Sequence, residues 1–574
     1  MGDELLFVSF GSEDPFIEVF SPTGKEEQLS PQARYIHTYI KHLGVKSCII
    51  EKNYPDWDWI AQYSQYYYKG INNPNKSCTR LHFFSEIITQ DLFQKALLGK
   101  DGQESREELQ KHYCGFVVKR PILESLGRTV LKLHAISDEK EAKNRVVRTV
   151  KRNEVHIAGI TLYISGIPWH QKDKTGGCAT VAVWTALQGS PYRDFSFSST
   201  PDITKDALAH AENRGSIFPN THLSLANVQT AIQAHRGLKP MTIDGNIKRQ
   251  ENGKEVILGF SLDKFKLYSS TYLAAGFPVI LFCRFDNDKN EKYHCNCMIG
   301  FKESPVEIGD GQGGYELFVS QDVAIEHVYL NDDVVGPMGS FKIVEKQVPG
   351  ENRPLTELVL QAHGEMDPKK SELEFGKSGL KRSDLVPIHM VVALPSEITV
   401  TFDQLLQAAY EKGFAISAWD YVNSKANSTK APRYTIITAA RFVSQSGFFQ
   451  EGLEKILGTD NSVLGPLRLE LGLNVPALSR FIGLVRVAIV ETSPSSNPRP
   501  LLDLLYDSTC VEMRCIATIR YHEFISDEVI KFIQKHSNEI VVRANNPKKW
   551  DHPIVFTDIP HDLGSFGVLI KGFL

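Results

Sequence analysis

The stretch Gly176-Gly177-Cys178-Ala179-Thr180-Val181-Ala182-Val183-Trp184 constrains this chain more than any other. Two glycines let the backbone bend tightly. Small and apolar residues then run without a breaker to Gly189. The pattern predicts a loop that turns into a buried helix, with a cysteine at the turn. A thiol at a helix N-terminus sits at the positive end of the macrodipole, beside unpaired N–H groups, and both favour the thiolate. A structural cysteine fits the same place, so the rest of the chain has to decide.

At 574 residues the chain exceeds one ordinary domain; length alone sets a soft prior of about three or four. With 42% hydrophobic and 23% charged residues it has the material for a sizeable core, which argues against disorder. A formal net charge of −4 gives no global electrostatic case for nucleic acid or an anionic membrane. The nine cysteines are odd in number and sparse, which excludes a disulfide framework and suits a reducing compartment. The opening MGDELLFVSF lacks the basic start and apolar run of a signal peptide, and Leu6 stands where a myristoylation signal wants Ser or Thr. No apolar stretch reaches membrane-spanning length. The expectation is a soluble cytoplasmic chain.

Residues 1–155 read as a mixed α/β region. The segment Tyr54–Tyr68 carries Trp57, Trp59, Tyr63, Tyr66, Tyr67 and Tyr68. These rings suit a stacking platform, but with so little positive charge nearby a helix packing rings into a core is the better expectation. The basic run Lys140–Arg152 reads as a solvated face or connector. Strand-like Ile157–Ile167 leads to Pro168 and the Cys178 helix. Pro278–Phe285 and Tyr293–Phe301, separated by a polar loop, read as a hairpin. Gly309–Gly314 lacks the Gly-Lys-Ser/Thr ending of a phosphate loop. The charged, Pro- and Gly-containing stretch 346–385 reads as a linker or insertion, and 386–574 as a further α/β region.

A cysteine nucleophile needs a base in hydrogen-bond reach, a group that orients the base, and donors for the oxyanion. The span from Gln171 to Asp333 holds a candidate for each. Gln171 precedes the helix in Pro168-Trp169-His170-Gln171; its amide and the Cys178 N–H can hold an oxyanion. His294 opens the second hairpin strand, sharing a face with Asn296 and Met298 while Cys295, Cys297 and Ile299 take the other. Asp332 and Asp333 follow the strand ending at Leu330, and either can accept from the imidazole and fix its tautomer. A metal reading is weaker. His294, Cys295 and Cys297, with Cys283 on the neighbouring strand, include soft donors. Zinc sites, however, draw on Cys-x-x-Cys knuckles, Cys295-x-Cys297 is too short, and a strand points His294 and Cys295 apart. No metal and no cofactor are expected.

Gln171, Gly177-Cys178-Ala179 and Tyr293-His294-Cys295-Asn296-Cys297-Met298-Ile299-Gly300-Phe301 together resemble the papain-like cysteine peptidases. Within that fold they are similar to the group related to the double-glycine peptidases that mature bacteriocins. There a Gln-containing loop precedes a Cys-bearing helix, and a His begins a strand of texture His-x-x-x-x-x-Gly-aromatic. An Asp near the end of a later strand completes the triad. The resemblance implies an α+β papain-like core over residues 156–345, flanked by two α/β regions. It also implies Cys178 as nucleophile, His294 as base, Gln171 at the oxyanion and Asp332 as orienter, with Asp333 as the alternative, since Asp333 stands where the family has Pro.

The expected function is therefore a cysteine hydrolase, a peptidase or isopeptidase acting on a protein or peptide, with a protein partner for either flank. An amidase or acyl transferase on the same fold, and a catalytically inactive binding or regulatory protein, are the alternatives.

Overall fold

The computed structural model describes residues 4–520 apart from 12–13, 72, 99–101, 124, 135–143, 191–197, 210–217, 221, 236, 252–253, 286–292, 304–317, 320–324, 348–355, 364–383, 410–433, 449–479, 492–498 and 511–513; beyond 520 it describes 554–556 and 570–572. The architecture is α+β. Two compact units emerge: Met1–Phe265 with Gly276–Glu303 and Ile325–Pro395, and Lys266–Ala275 with Ser304–Ala324 and Ser396–Leu574. Among the described residues no helix is long and apolar enough to cross a membrane.

The first unit opens with an antiparallel sheet of β1 (Leu5–Ser9), β2 (Ser47–Tyr54), β3 (Cys78–Phe84), β4 (Tyr113–Lys119) and β5 (Leu126–Leu131), paired in chain order. One core beside it takes Trp59, Phe93, Leu109 and Phe116 together with Val155, Ile157, Ile160, Leu162 and Ile164. The last five belong to a hairpin of Lys151–Ile157 and Ile160–Gly166. The hairpin therefore shares the N-terminal core, and no break falls at the expected boundary of 155.

Edge strand β5 goes further. Thr129 and Trp169 exchange backbone hydrogen bonds of 2.8 and 2.9 Å, and Gln171 N donates to Leu126 O at 3.3 Å. The segment before Cys178 is thus bridged to the edge of the N-terminal sheet. Arg120, at the end of β4, is wholly buried and supports that junction from below. Its Nη1 donates to Asp173 Oδ2 at 2.7 Å and Gln62 Oε1 at 3.1 Å, and its Nη2 to Gln171 O at 3.1 Å.

The aromatic segment divides. Trp59 and Tyr63 are buried on the helix Trp57–Gln65, whereas Trp57 and Tyr68 are exposed. Of the basic run, Lys140 and Lys143 lie outside the described residues. Arg145 stands on β6 (Arg145–Val146), and Arg152 lies over the Tyr163 ring at 3.7 Å.

A second sheet follows: β7 (Leu238–Asp244), β8 (Val279–Phe285), β9 (Tyr293–Glu303), β10 (Ile325–Asp332), β11 (Gly336–Gln347), β12 (Thr356–Ala362) and β13 (Leu385–Pro395). Strands β8 to β13 pair in chain order, β7 adds to β13, β6 adds to β9, and β8 also pairs β13, which closes six strands into a ring. This corrects two expectations. The stretch read as linker contains β12, whose Leu358, Val359 and Leu360 are buried, and β13 belongs to this sheet, so the first unit ends at Pro395 rather than near 386. Charge on both sides of a short apolar run hid the strand. Glycines 309–314 lie outside the described residues.

In the second unit Tyr434–Ser444, Phe481–Glu491, Arg499–Asp507 and Arg514–Arg520 form an antiparallel sheet that Phe318–Val319 joins in parallel. Tyr272 and Phe402 pack beside it, with Phe442 stacked on Tyr272. In the sequence Leu453–Leu457 and Asp527–His536 have helical spacing, and both lie outside the described residues.

Removing one partner of a buried ion pair strands the other charge in a low dielectric. Arg120→Ala should therefore lower stability by about 3–5 kcal/mol, measured by urea denaturation. An unchanged midpoint would show that the guanidinium supports nothing.

Candidate active site

The helix Cys178–Gly189 starts where the sequence predicts. Gly177 is its N-cap, with extended backbone and no side-chain cap, so the first N–H groups remain available. Gly176 is required by space, since a Cβ there would lie 2.7 Å from Thr180 Cγ2. The preceding turn is held by Asp173, whose Oδ1 accepts from Thr175 N at 2.7 Å and Thr175 Oγ1 at 2.6 Å. Ala179 to Leu187 are buried, and Trp184 Nε1 donates to Asp58 Oδ1 at 3.2 Å. Of the seven cysteines in this unit, Cys178 alone is not buried.

His294 comes to the site from β9, and Cys178 is among the groups that raise its pKa. Its Nε2 lies 3.0 Å from Asp332 Oδ2. With Nε2 engaged by Asp332, Nδ1 is the ring nitrogen that Asp332 leaves for another partner. Phe285 stacks on the ring, with centroids 5.8 Å apart. Burial of the ring disfavours its charged form, but the charge and hydrogen bond of Asp332, the contact with Cys178 and the charge of Asp333 outweigh it. Together they hold the His294 pKa well above the ordinary value.

Asp332 is fixed by its own turn. Oδ1 accepts from Val334 N at 2.8 Å and Val335 N at 3.2 Å, which leaves Oδ2 for the histidine. Trp169 Nε1 donates to Asp332 O at 2.9 Å, and Asn331 Nδ2 donates to Pro168 O at 3.2 Å. The loop before Cys178 is thereby stapled to the turn that carries the carboxylate. Gly336 closes this turn at φ +147°, where a Cβ would meet Tyr35 Cδ1 at 2.4 Å.

Asp333 is also buried, but its oxygen is 3.9 Å from His294 Nε2, against 3.0 Å for Asp332. Its partner is Lys172 Nζ at 3.0 Å. Burial raises the Asp333 pKa, against the opposing charges of His294 and Lys172. Gln171 is held at both ends: its backbone pairs with β5, and its Oε1 accepts from Leu126 N at 3.2 Å, leaving its NH2 as the donating end.

The structure thus brings Cys178, His294, Asp332 and Asp333 to one point and sets Gln171 in the adjoining loop. His294, Asp332 and Asp333 offer donor atoms within 4.8 Å of one another. There Lys172 Nζ lies on Asp333 and the His294 ring on Asp332. Cys283, Cys295 and Cys297 are buried, and burial raises their thiol pKa values.

Sequence reasoning missed Lys172, Arg120, Asn331 and Phe285. Only Arg120 left a signal, a cation ending the apolar strand Gly115-Phe116-Val117-Val118-Lys119 just before Pro121. Compared with known proteins, no family model matches the chain and no curated protein matches it.

Because the folded pKa of His294 exceeds the unfolded value of about 6.5, its stabilisation is fully present below about pH 6.5 and is lost as pH rises through the folded value. The stability difference between wild type and His294→Gln should therefore shrink as pH climbs above about 6.5. Denaturation midpoints across a pH series check this, and a difference that grows with pH would contradict the charged pair.

Proposed function

We propose that this chain is a cysteine hydrolase with a papain-like core, cleaving amide bonds of a protein or peptide as a peptidase or isopeptidase. The observation that carries the reading is His294, held through Nε2 by a carboxylate that is itself locked in a turn, with the half-exposed Cys178 at the mouth of its helix among the groups that raise the ring's pKa. A structural cysteine needs none of this. The other six cysteines of the unit are buried and lack it.

In the reaction Cys178 Sγ attacks the carbonyl carbon, and the carbonyl electron pair moves onto oxygen. The Cys178 N–H and the Gln171 NH2 receive that oxyanion. His294, protonated at rest, gives its Nδ1 proton to the leaving nitrogen as the C–N bond breaks, which leaves a thioester on Cys178. The neutral imidazole then takes a proton from water as the oxygen attacks the thioester. The acid leaves, and the thiolate–imidazolium pair returns. Asp332 holds the ring in the tautomer and rotation both steps need. Transfer to an amine would follow the same course with a different second acceptor.

Iodoacetamide tests the reading without a known substrate. Wild-type Cys178 should alkylate faster than the buried cysteines of its unit at neutral pH. His294→Ala should slow that reaction by at least about tenfold, and Asp332→Asn should slow it more than Asp333→Asn. Peptide mapping locates the adduct. Ordinary thiol behaviour at Cys178, indifferent to His294, would refute the proposal.

A further inference from the structure

Beside the Cys178–His294–Asp332 set lies a charged pair with no place in the steps above. Asp333 and Lys172 meet at 3.0 Å, the carboxylate side chain 1% exposed and the lysine 46%. The contact is an ion pair rather than a well-aligned hydrogen bond. Its surroundings are unequal. Asp332 has two backbone N–H groups on one oxygen and the imidazole on the other. Asp333 has only charges: Lys172 on one oxygen and, at 3.9 Å from the other, His294 Nε2. Gln32 Nε2 reaches only its backbone carbonyl, at 3.4 Å.

His294 Nε2 has one hydrogen to give. A bond to Asp333 would therefore be made at the expense of the bond to Asp332. It would also turn the ring about β9 and swing Nδ1 away from the sulfur. A buried carboxylate without a cation is costly and seeks the nearest one. Without Lys172 that cation is the imidazolium.

We propose that Lys172 is a positioning residue: its ammonium occupies Asp333 so that Asp332 alone orients His294. Lys172 adjoins Gln171, so the same pair ties the oxyanion loop to the turn of the orienting aspartate. Burial works against the ammonium, yet Asp333, and with it Cys178 and Asp332, hold the Lys172 pKa above its ordinary value. The lysine thus stays charged wherever the pair is needed. The role rests on the hydrolase reading, because only a ring that moves protons needs one defined partner.

The test compares Lys172→Met, Asp333→Asn, the double variant and Lys172→Arg. The readouts are the rate of Cys178 alkylation by iodoacetamide at neutral pH and the titration of the His294 ring by NMR. Lys172→Met should slow alkylation on the order of tenfold, as expected for a displaced catalytic group, and move the His294 titration upward. Removing the stranded carboxylate should undo this, so the double variant returns to within about threefold of wild type, and Lys172→Arg tracks wild type. Should Lys172→Met not fold, recovery of folded protein in the double variant is the same rescue. Wild-type behaviour of Lys172→Met, additive effects in the double variant, or no recovery would overturn the proposal. Failure of the hydrolase reading shows separately, as a wild-type Cys178 whose alkylation ignores His294→Ala. The ring titration still reports on Lys172 in that case.

Discussion

A fully buried guanidinium holds the architecture of this site together. Arg120 ends one strand of the N-terminal sheet and satisfies Asp173, Gln62 and the carbonyl of Gln171 at once. A buried cation is tolerated only with such company. Asp173 in turn shapes the tight bend into the Cys178 helix. The N-terminal sheet is therefore a structural part of the site, with Trp169 and Gln171 bonded through their backbones to β5.

A second constraint acts from the other side. The Asp332 turn is anchored to the same loop through Trp169 and Asn331, and its carboxylate is spent on backbone N–H groups before it meets the histidine. Thiol and imidazole come from one helix and one strand that lie far apart in the chain. Their common reference is this loop, bonded to β5 on one side and to the end of β10 on the other. The resulting electrostatics follow from burial. In a low dielectric the carboxylates raise the imidazole's pKa, although desolvation alone would lower it.

Much of the site was legible in residue order. Gly-Gly before an apolar run predicts the Cys178 helix, since a helix entry at a crowded bend admits little else at Gly176. Alternation along Tyr293–Phe301 puts His294 on the face opposite Cys295 and Cys297. The order Gln, Cys, His, Asp supplied the set. Other features were illegible for physical reasons. The N-terminal strands carry no mark of what their edge will pair with, because backbone hydrogen bonding is indifferent to side chains. Strand β12 was hidden between charged flanks, and nothing in the residue order marks Lys172.

The sequence by itself determined the local elements and the inventory of chemical groups, because glycine geometry, apolar periodicity and side-chain chemistry are local properties. The resemblance set Asp332 ahead of Asp333, but composition and spacing do not separate two aspartates one position apart; only the tertiary structure gives them different surroundings. A turn that satisfies one carboxylate with its own N–H groups, and a lysine that reaches the other, separate them by 0.9 Å at His294 Nε2, the difference between 3.9 and 3.0 Å. Such a difference arises only when distant segments meet, because charge and hydrogen bonding depend on distances that chain order does not encode.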